Sequence, residues 1–381
     1  MARGPDGQGG GAGFSLADQL FNAETVGVLA TEHAHLPGVD AARFAARATE
    51  GLAERRLLER LDWIAACLGE ELPRDFPAMA EALEAAMPPP LDPGRSDDDF
   101  GRFIHAVPGV LAVRHGLDAH PERALDLIHA ATQRFSMEFY IRPFITRWPE
   151  VTLPRLAAWA EDPNYHVRRL VSEGTRPRLP WATALSLSPE VTLPLLDRLH
   201  ADPTRYVTRS VANHLNDIAK TAPELVTARL ADWQAEGRQA RAELDWMTRH
   251  ALRGAIKRQE PGALRLLGFD PDAPVEAQLD LTPEPVRIGA RLGISVRVES
   301  AAPQRLLVDY RIRFHRPSGR PGEKVFKLGT GEARPGAPLI LEKAHLLKAG
   351  ATTFTWHPGP HALILQINGR DRAEAGFTVE G

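Results

Sequence analysis

The sequence predicts a mainly α-helical protein in which a HEAT-like helical repeat solenoid is followed by a small all-β, immunoglobulin-like sandwich domain. Two observations lead to this fold class. The hexapeptide PEVTLP at residues 149–154 returns 40 residues later, at 189–194, within sequence whose apolar residues recur at spacings of three and four. After residue 270 the period changes, and short runs of alternating apolar and polar residues are separated by turns rich in glycine and proline.

The 40-residue repeat is the central feature of the helical region. A period near 40 in helical sequence is typical of stacked helix pairs, each of which buries its apolar face against the next pair. In the second helix of a unit, the apolar spacing over residues 207–218 predicts a buried stripe. Arg209, Asn213 and Asp217 form a polar stripe at spacings of four, which we expect to face out of the stack.

Equivalent positions of successive units form a ladder of polar residues. Its steps are Arg134 and Glu138, Arg169 and Glu173, Arg209 and Asn213, and Arg249 and Arg253. We call the arginines of this ladder the arginine rail and interpret it as one side of a binding groove. A single arginine–glutamate pair four residues apart is a common surface feature that stabilises a helix by about 0.2–0.5 kcal/mol. The recurrence in phase over four units favours a binding surface over this alternative.

The composition is that of a globular protein with room for two or three domains, at 381 residues, 43% apolar and 25% charged. The N-terminus has glycines and an acid where a signal peptide would have a charged start and an apolar block, so we expect a cytoplasmic protein. The sequence contains no run of 18 or more apolar residues, so it predicts no membrane-spanning helix. Cys67 is the only cysteine, which excludes an internal disulfide and a thiolate metal cluster.

The net charge of −3 hides a division of charge along the chain. Residues 14–126 hold 10 Lys or Arg against 20 Asp or Glu, whereas residues 134–258 hold 19 against 14 and residues 271–381 hold 15 against 12. A basic middle and end behind an acidic start allow a local positive groove. Such a groove matters more for binding a polyanion than the total charge does.

Three segments are predicted: a disordered tail at 1–13, a HEAT-like repeat domain at 14–268 and an immunoglobulin-like sandwich at 275–381. The tail is assigned from its glycine content. Within the repeat domain, helical spacing predicts one helix over 122–148 that carries Arg134 and Glu138. In the last segment, residues 308–314 alternate strictly, and about seven such runs are typical of a sandwich of this class.

One helix departs from the repeat. Gly174 and two prolines soon after it predict that this helix ends earlier than its counterpart 40 residues on. Glu173 would then lie at a helix C-terminus, where the macrodipole disfavours an anion by about 0.3–1 kcal/mol. A carboxylate in such a position indicates a function, and the loop that follows places Arg176, Arg178 and Trp181 beside it.

Several stretches of the sequence share the motifs of one family. They are residues 18–25, 99–101, 172–181, 213–220, 243–253 and 308–328. In these stretches the chain resembles the AlkC branch of the HEAT-like repeat DNA glycosylases. The resemblance extends from Phe14 to Val379, which is nearly the whole chain.

The resemblance implies an enzyme that excises cationic N-alkylated bases, chiefly 3-methylcytosine and 3-methyladenine, from duplex DNA. It also implies that no deep base-flipping pocket is used and that the immunoglobulin-like domain helps to enclose the duplex. Carried over by motif, the family's carboxylates fall on Glu138 and Glu173, its cleft tryptophan on Trp181 and an arginine near the lesion on Arg169. A further carboxylate, Asp217, is placed by the motif around it.

These residue types suit the implied chemistry. Alkylation at N3 leaves the base positively charged, so the base is a good leaving group that needs no general acid. Cleavage of the N-glycosidic bond builds an oxocarbenium-like sugar, which a nearby carboxylate can stabilise while it orients a water molecule. Either Glu173 or Glu138 would serve, and we favour Glu173. The face of Trp181 can attract positive charge by about 0.5–2 kcal/mol, although a packed loop anchor is the alternative for this residue.

DNA recognition is assigned mainly to arginines that contact phosphates, so affinity should fall steeply with salt. The predicted DNA-binding residues are Arg134, Arg168, Arg169, Arg176, Arg178, Trp181, Arg209, Asn213, Arg249 and Arg253. Because 3-methylcytosine cannot pair normally, kinking the duplex at this lesion requires less free energy than kinking it at an intact pair. The predicted sandwich has basic residues that either contact the DNA backbone or belong to a solvated strand face, and both interpretations stay open. They are Arg311, Arg313, Arg316, Lys324 and Lys327.

We expect no cofactor and no metal, because the histidines lack the spacing of metal ligands and no glycine-rich phosphate loop occurs. The expected partner is double-stranded DNA containing alkylated bases, bound by a nucleoid-associated monomer with no membrane contact. One alternative is a non-catalytic HEAT-like protein that binds DNA of unusual structure, against which Glu138, Glu173 and Trp181 count. Another is a HEAT adaptor that binds protein, which predicts an apolar or acidic concave face rather than an arginine-rich one.

Overall fold

The computed structural model describes residues 15–95, 97, 99–317, 319, 322–350 and 354–381. The predicted disordered tail at 1–13 lies outside these residues. The described chain has helices up to Leu266 and strands from Val275 onward. This order of elements confirms the predicted fold class, a helical repeat region followed by an all-β sandwich.

The helices are α1 (Leu16–Leu20), α2 (Ala23–His33), α3 (Ala41–Thr49), α4 (Leu57–Glu71), α5 (Phe76–Ala86), α6 (Val107–Leu111), α7 (Pro121–Thr132), α8 (Ile141–Arg147), α9 (Pro149–Trp159), α10 (Tyr165–Gly174), α11 (Pro189–Leu199), α12 (Arg205–Ile218), α13 (Pro223–Glu236), α14 (Arg241–Ala251), α15 (Arg253–Lys257) and α16 (Pro261–Leu266). Short 3₁₀ or π turns occur at Leu52–Glu54, Phe103–Ala106 and Ala112–Gly116. None of the helices in the described chain combines the length and the hydropathy that a membrane crossing requires.

The strands are β1 (Val275–Thr282), β2 (Val286–Arg287), β3 (Arg291–Ser300), β4 (Gln304–Phe314), β5 (Gly322–Ala333), β6 (Leu339–Leu346), β7 (Gly359–Ile367) and β8 (Arg370–Glu380). They form two sheets, with strand orders β1-β3-β6 and β2-β8-β7-β4-β5. Neighbouring strands are antiparallel except β2 and β8, which are parallel. The alternately half-buried and exposed residues of β1 carry a period-two signal for a strand that the sequence-based prediction did not include.

The described residues form two compact units. The first runs to Ile218 and includes Gly237–Met247, and the second comprises Ala219–Glu236 and Thr248–Gly381. The second unit therefore contains helices α13, α15 and α16 in addition to the strands. The domain boundary predicted at 268–275 lies where helices give way to strands, whereas the two compact units divide the chain elsewhere. The predicted boundary stays a prediction.

The 40-residue period corresponds to two successive helix pairs. Helices α9 and α11 begin 40 residues apart, at Pro149 and Pro189. Proline suits the first turn of a helix, because the backbone N–H that it lacks has no hydrogen-bond partner within the helix there. Helices α10 and α12 follow them, and the apolar stripe of α12 is buried, with Val207, Val211 and Leu215 fully enclosed. Truncating a buried leucine to alanine typically lowers stability by about 2–5 kcal/mol. The predicted repeat is confirmed as a pair of equivalent helix pairs.

Helix α10 ends at Gly174, as predicted, but the physical reason differs. Gly174 keeps a helical backbone instead of the left-handed conformation of a C-cap glycine. A Cβ atom at this position would lie 2.5 Å from Cγ2 of Ile141, so the close approach of α8 requires glycine. The hydroxyl of Thr175 donates to the carbonyl oxygen of Val171 (2.6 Å), within the last turn. Glu173 consequently lies in the last turn of α10.

The predicted single helix over 122–148 is wrong. Helices α7 and α8 are separated by an irregular connection at 133–140, so Glu138 and its ladder partner do not share a helical face. The cause is a tertiary contact, because Phe135 pairs with Gly101 in an isolated β-bridge that interrupts the helix. Glu138 is thereby presented from a connection rather than from a repeat helix.

Candidate active site

Five side chains form a continuous row of opposite charges. They are Glu138 on the connection between α7 and α8, Arg169 and Glu173 on α10, Arg176 in the loop after α10, and Asp217 on α12. We call this set the charged row. None of its side chains is more than 16% exposed. The row itself combines three carboxylates with two guanidinium groups, and the buried guanidinium of Arg142 lies within electrostatic reach of all three carboxylates.

Arg169 joins the first two carboxylates. Its Nη1 donates to Glu138 Oε2 (2.6 Å) and to Ser136 Oγ (2.7 Å), and its Nη2 lies 3.8 Å from Glu173 Oε2. The guanidinium also stacks over the ring of Tyr206, with Cζ 4.5 Å from the ring centroid. A planar guanidinium held at its edges and on one face has little freedom to turn. Arg169 therefore fixes the separation of Glu138 and Glu173.

Both carboxylate oxygens of Glu173 accept hydrogen bonds. Oε1 accepts one from Arg176 Nη1 and Oε2 accepts one from the hydroxyl of Ser210, each at 2.6 Å. Ser210 Oγ also lies 3.0 Å from Ser172 Oγ, and both serines are buried. These contacts restrain the carboxylate from two sides, so its position does not depend on solvent.

Arg176 joins Glu173 to Asp217. Its Nε and Nη2 lie 2.9 and 2.8 Å from Asp217 Oδ2, while its Nη1 donates to Glu173. Asp217 was predicted to face out of the stack, but it is only 8% exposed, because Arg176 covers it. That part of the prediction is wrong. The structure nevertheless brings Asp217 and Glu173 onto one guanidinium group.

The electrostatics of the row keep Glu173 and Arg169 charged in spite of their burial. Burial by itself would raise the pKa of Glu173, but Arg169, Arg176 and the Ser210 hydroxyl hold this pKa below its ordinary value. Burial acts to lower the pKa of Arg169, and Glu138 and Glu173 more than offset it, so the pKa is raised. A carboxylate kept ionised where water is excluded can stabilise a developing positive charge far better than one in solvent.

Glu138 differs from Glu173 in having a carboxylate oxygen that is available to a ligand. Its Oε2 accepts bonds from Ser136 Oγ and Arg169 Nη1, both at 2.6 Å, whereas Oε1 accepts none from the described residues. A water molecule or a substrate hydroxyl could therefore donate to Oε1. In the described part of the chain, no group of three or more His, Cys, Asp or Glu side chains is arranged to hold a metal ion.

Trp181 lies in the loop that follows the row, and it is 65% exposed. Its φ of +66° falls in the left-handed region, which is disfavoured for a bulky residue and is often found at functional sites. Arg142 braces this loop by donating to the carbonyl oxygens of Gly174 (3.0 Å) and Thr183 (2.7 Å). The alternative of a packed loop anchor is therefore wrong for Trp181, which is free to contact a ligand.

A cavity of about 1160 Å³ opens beside Trp181, lined by Tyr140, Arg142 and both apolar and charged residues of α4, α6 and α8. None of the three carboxylates of the charged row is among the described residues that line it. The carboxylates that do line it, Glu59 and Asp62, are exposed, and Asp62 pairs with Arg114, so solvent screens their charge. The charged row, rather than this cavity, is therefore the candidate active site.

The chain is similar to known proteins over most of its length. Residues 275–381 match the family model described as the uncharacterised protein YhaZ, C-terminal Ig-like domain. The uncharacterized protein YhaZ of Bacillus subtilis is 32% identical over 339 residues, which are 87% of this chain and 89% of that protein. Among solved structures, the Pseudomonas fluorescens alkylpurine DNA glycosylase AlkC, bound to DNA containing an abasic site analog, is 33% identical. It superposes with a TM-score of 0.76 over 96% of this chain and 100% of that one. The chain belongs to the AlkC family.

Several arginines that the sequence assigns to DNA are engaged within this AlkC-family fold. Arg168 pairs with Asp202 (Nε to Oδ2, 2.5 Å), and Arg209 pairs with Asp97. Arg134 donates to two backbone carbonyl oxygens, at 2.8 and 2.9 Å. Within the arginine rail, Arg169 and Arg209 are thus in ion pairs and Arg134 is held by backbone carbonyl oxygens, and contact of the rail with phosphates stays a prediction.

The other predicted DNA-binding residues are distributed between the two units. Arg178 is exposed and makes no hydrogen bond or ion pair with the described residues, and Asn213 is half-buried on α12. Arg249 and Arg253 are exposed and belong to the second unit. The structure brings together Arg169, Arg176 and the three carboxylates. The DNA-binding roles of Arg178, Asn213, Arg249 and Arg253 stay predictions.

Three residues around the charged row of this AlkC-family chain escaped the sequence-based prediction: Ser136, Tyr206 and Ser210. Ser210 follows Val207 by three residues, at the spacing of the buried stripe, so a small polar residue at a core position was an available signal. Ser136 lies on an irregular connection that no periodicity identifies. Tyr206 has the pattern of an ordinary core aromatic, and only its contact with Arg169 distinguishes it.

Proposed function

We propose that this chain is a DNA glycosylase that excises cationic N-alkylated bases, 3-methylcytosine and 3-methyladenine, from double-stranded DNA. The charged row carries this proposal, because it holds three carboxylates, among them the ionised Glu173, in a buried site next to the loop of an exposed tryptophan. The solved relative is an alkylpurine DNA glycosylase bound to DNA, which supports DNA as the partner and an alkylated purine such as 3-methyladenine as a substrate here. The enzyme would act as a monomer, by hydrolysis alone, in base excision repair.

The proposed reaction uses the positive charge of the damaged base. The N-glycosidic bond breaks and its electron pair moves into the ring, so the base leaves as a neutral molecule. The sugar is left as an oxocarbenium-like cation at C1′, to which a water oxygen adds while one water proton is released. A cationic base in DNA and water thus give a neutral base, an abasic sugar and a proton, and no acid protonates the leaving group.

The carboxylates have separate roles in this proposal. Glu173 is the anion that stabilises the cationic sugar, because the surrounding donors hold its pKa low. Glu138 accepts a hydrogen bond from the attacking water through Oε1 and so orients it. Asp217 acts through Arg176, which it holds against Glu173.

Contacts with the damaged duplex complete the proposed site. Arg169 lies between the two glutamates and would face the lesion, while the exposed face of Trp181 attracts its positive charge by about 0.5–2 kcal/mol. Arg178 and the arginine rail would contact phosphates. The base would leave without entering a deep pocket, because the cavity beside Trp181 is not lined by the carboxylates that act on the sugar.

Incubating the pure protein with duplexes that carry either lesion, in low and high salt, tests this function. Free base and abasic sites should appear, more slowly in high salt. Glu173→Gln should reduce the single-turnover rate by about 10²–10³-fold, the usual effect of losing one preorganised electrostatic contact. It should still bind a duplex with an abasic-site analogue. Glu374→Gln, which removes an exposed carboxylate of the sandwich, is the matched control and should react normally.

The outcomes separate the alternatives. If neither base is released but damaged duplexes bind, the chain is a non-catalytic DNA-binding protein. If no DNA binds, a protein-binding adaptor is favoured. If bases are released and Glu173→Gln reacts at the normal rate, the role given to Glu173 is wrong while the activity stands.

A further inference from the structure

Phe100 is an exposed aromatic residue with no part in the proposed chemistry. It is 51% exposed, and among the large apolar side chains of the described residues only Trp181 is another exposed aromatic. A single exposed apolar residue is common on protein surfaces, so exposure alone indicates no function. The position of Phe100 and the backbone that holds it supply the evidence.

One aromatic ring separates Phe100 from the charged row. The edge-to-face contact between Phe100 and Tyr206 has ring centroids 5.4 Å apart, at an interplanar angle of 73°. The ring of Tyr206 in turn lies under the guanidinium of Arg169, which binds Glu138. Phe100 therefore lies one ring away from Arg169 of the charged row, and about half of its side chain faces solvent.

The backbone next to Phe100 is tightly constrained. Gly101 has a φ of +67°, and a Cβ atom there would lie 2.0 Å from the carbonyl oxygen of Arg134, so only glycine fits. The same glycine pairs with Phe135 in a β-bridge. Phe135 belongs to the connection at 133–140 that also carries Glu138. Phe100 is thus held in a defined position relative to the proposed site.

We propose that Phe100 is a wedge that stacks on a nucleobase at the step beside the lesion and stabilises the kinked duplex. Proteins that kink DNA insert apolar side chains between base steps, and stacking on an aromatic ring is tolerant of sequence. A damaged pair resists unstacking less than an intact pair does, so a wedge adds selectivity for lesions. The proposal takes its DNA substrate from the proposed function, but it concerns a contact outside the charged row.

A pre-kinked substrate tests the wedge. Wild type, Phe100→Ala and the control Ile340→Ala, which removes a 57% exposed apolar side chain of the sandwich, are compared on two duplexes with 3-methylcytosine. One duplex is intact, and the other has a nick opposite the lesion that lets it bend unaided. Phe100→Ala should excise about tenfold more slowly from the intact duplex, as expected for one lost stacking contact, and within about twofold of wild type from the nicked one.

Stability and binding measurements complete the test. Phe100→Ala should unfold within a few degrees of wild type, because about half of the side chain is exposed and its one aromatic contact is with Tyr206. Ile340→Ala should change neither rate. An unchanged rate of Phe100→Ala on the intact duplex, or an equal loss on both duplexes, would overturn the wedge.

If wild type releases no base, the proposed glycosylase function is wrong, but the wedge can still be tested. The test is then the affinity of wild type and Phe100→Ala for intact and nicked duplexes that carry a tetrahydrofuran abasic analogue. Weaker binding of Phe100→Ala to the intact duplex only would support the wedge. Equal binding of the variant and wild type would overturn it.

Discussion

The charged row of the helical unit has a counterpart of the same composition on the sandwich. There, two arginines of β4 pair with three carboxylates of β5 and β8. We call this set the sandwich network: Arg311, Arg313, Glu323, Asp371 and Glu374. Its ion-pair distances, from 2.8 to 3.2 Å, are comparable with those of the row. Two guanidinium groups and three carboxylates therefore occur twice, in two environments.

Burial is what separates the two sets. The side chains of the sandwich network are 24–51% exposed, whereas those of the charged row are 5–16% exposed. Solvent screens an exposed pair, and its net contribution to stability is small. A buried pair loses its hydration, and apolar residues of the same volume would often stabilise the fold as well or better.

Burial indicates that the charged row is a functional site, whereas the sandwich network is an exposed set of ion pairs. Folding gains little from burying five charged groups, so their retention in a buried row indicates a role in chemistry. The same inventory on an exposed sheet requires no such role. Each prediction below replaces a residue in one region and a matched residue in the other.

The largest difference should follow removal of one arginine from each set. Arg176→Ala leaves Glu173 and Asp217 without their shared guanidinium in a buried site, so the free energy of unfolding should fall by about 3–5 kcal/mol. Arg313→Ala also removes a guanidinium shared by two carboxylates, Glu323 and Glu374, but these can be hydrated, so the loss should be far smaller. Urea unfolding followed by circular dichroism at 222 nm measures both. Equal losses would mean that burial does not distinguish the two sets.

The next effect is catalytic and concerns the hydroxyl on Glu173. Ser210→Ala removes a hydrogen bond to an ionised group, which typically contributes about 1.5–3 kcal/mol, so single-turnover excision should slow about 10- to 100-fold. Because that bond helps to hold the pKa of Glu173 down, the acidic limb of the pH–rate profile should move to higher pH. Ser210→Thr should retain most activity.

Ser300→Ala is the control for the hydroxyl on Glu173, because it removes a hydroxyl that donates to a backbone carbonyl in the sandwich. It should leave both the rate and the profile unchanged. A slow Ser210→Ala enzyme with an unmoved acidic limb would show that the hydroxyl acts on something other than Glu173.

The sequence was sufficient for the repeat and for part of the row. Helices α9 to α12 follow from periodic apolar contacts that each unit repeats with its neighbour, and those contacts determine the period itself. Glu173 was identified because Gly174 and the prolines after it predicted the end of α10 beside it, a local signal. The family resemblance gave roles to Glu138, Arg169 and Trp181, which the ladder and the loop had already singled out, and the structure places the first two in the row.

What the sequence did not reveal depends on contacts between distant residues. The interruption of the helix at 133–140 comes from a bridge between Phe135 and Gly101, and no pattern within the segment requires it. Asp217 is buried by Arg176, which is 41 residues away, so the helical wheel of α12 alone placed it outward. Helical periodicity shows which face of a helix is polar, but not whether another chain segment covers that face.

A smaller effect, common to both regions, should appear on acidification. Burial lowers the pKa of His214 in the helical unit and of His345 in the sandwich to about 4 in each case. The folded state thus holds both rings neutral, and the stability this contributes is present above the unfolded pKa near 6.5 and is lost as pH falls toward 4. Each histidine should lower the free energy of unfolding by about 2 kcal/mol between pH 7 and pH 5.

Glutamine substitutions test the contribution of each histidine. His214→Gln and His345→Gln should each reduce the pH dependence of urea unfolding over this interval by a similar amount. Because the pKa of Glu173 is held low, Glu173 should contribute little to the slope there. If neither substitution changes the slope of the free energy of unfolding against pH, carboxylates rather than these histidines cause the acid sensitivity.

The smallest effect concerns DNA affinity, and it decides whether the sandwich network is only a solvated face. Arg178 is exposed, without an ion pair among the described residues, so Arg178→Ala should weaken binding a few-fold and reduce the slope of log K against log salt by about one. Arg313 is held by Glu323 and Glu374, so Arg313→Ala should change neither quantity. Titration of a labelled abasic-analogue duplex at several salt concentrations measures both. A reduction of the slope by Arg313→Ala as large as that by Arg178→Ala would show that the sandwich arginines contact phosphates, and exposure would then no longer separate the two regions.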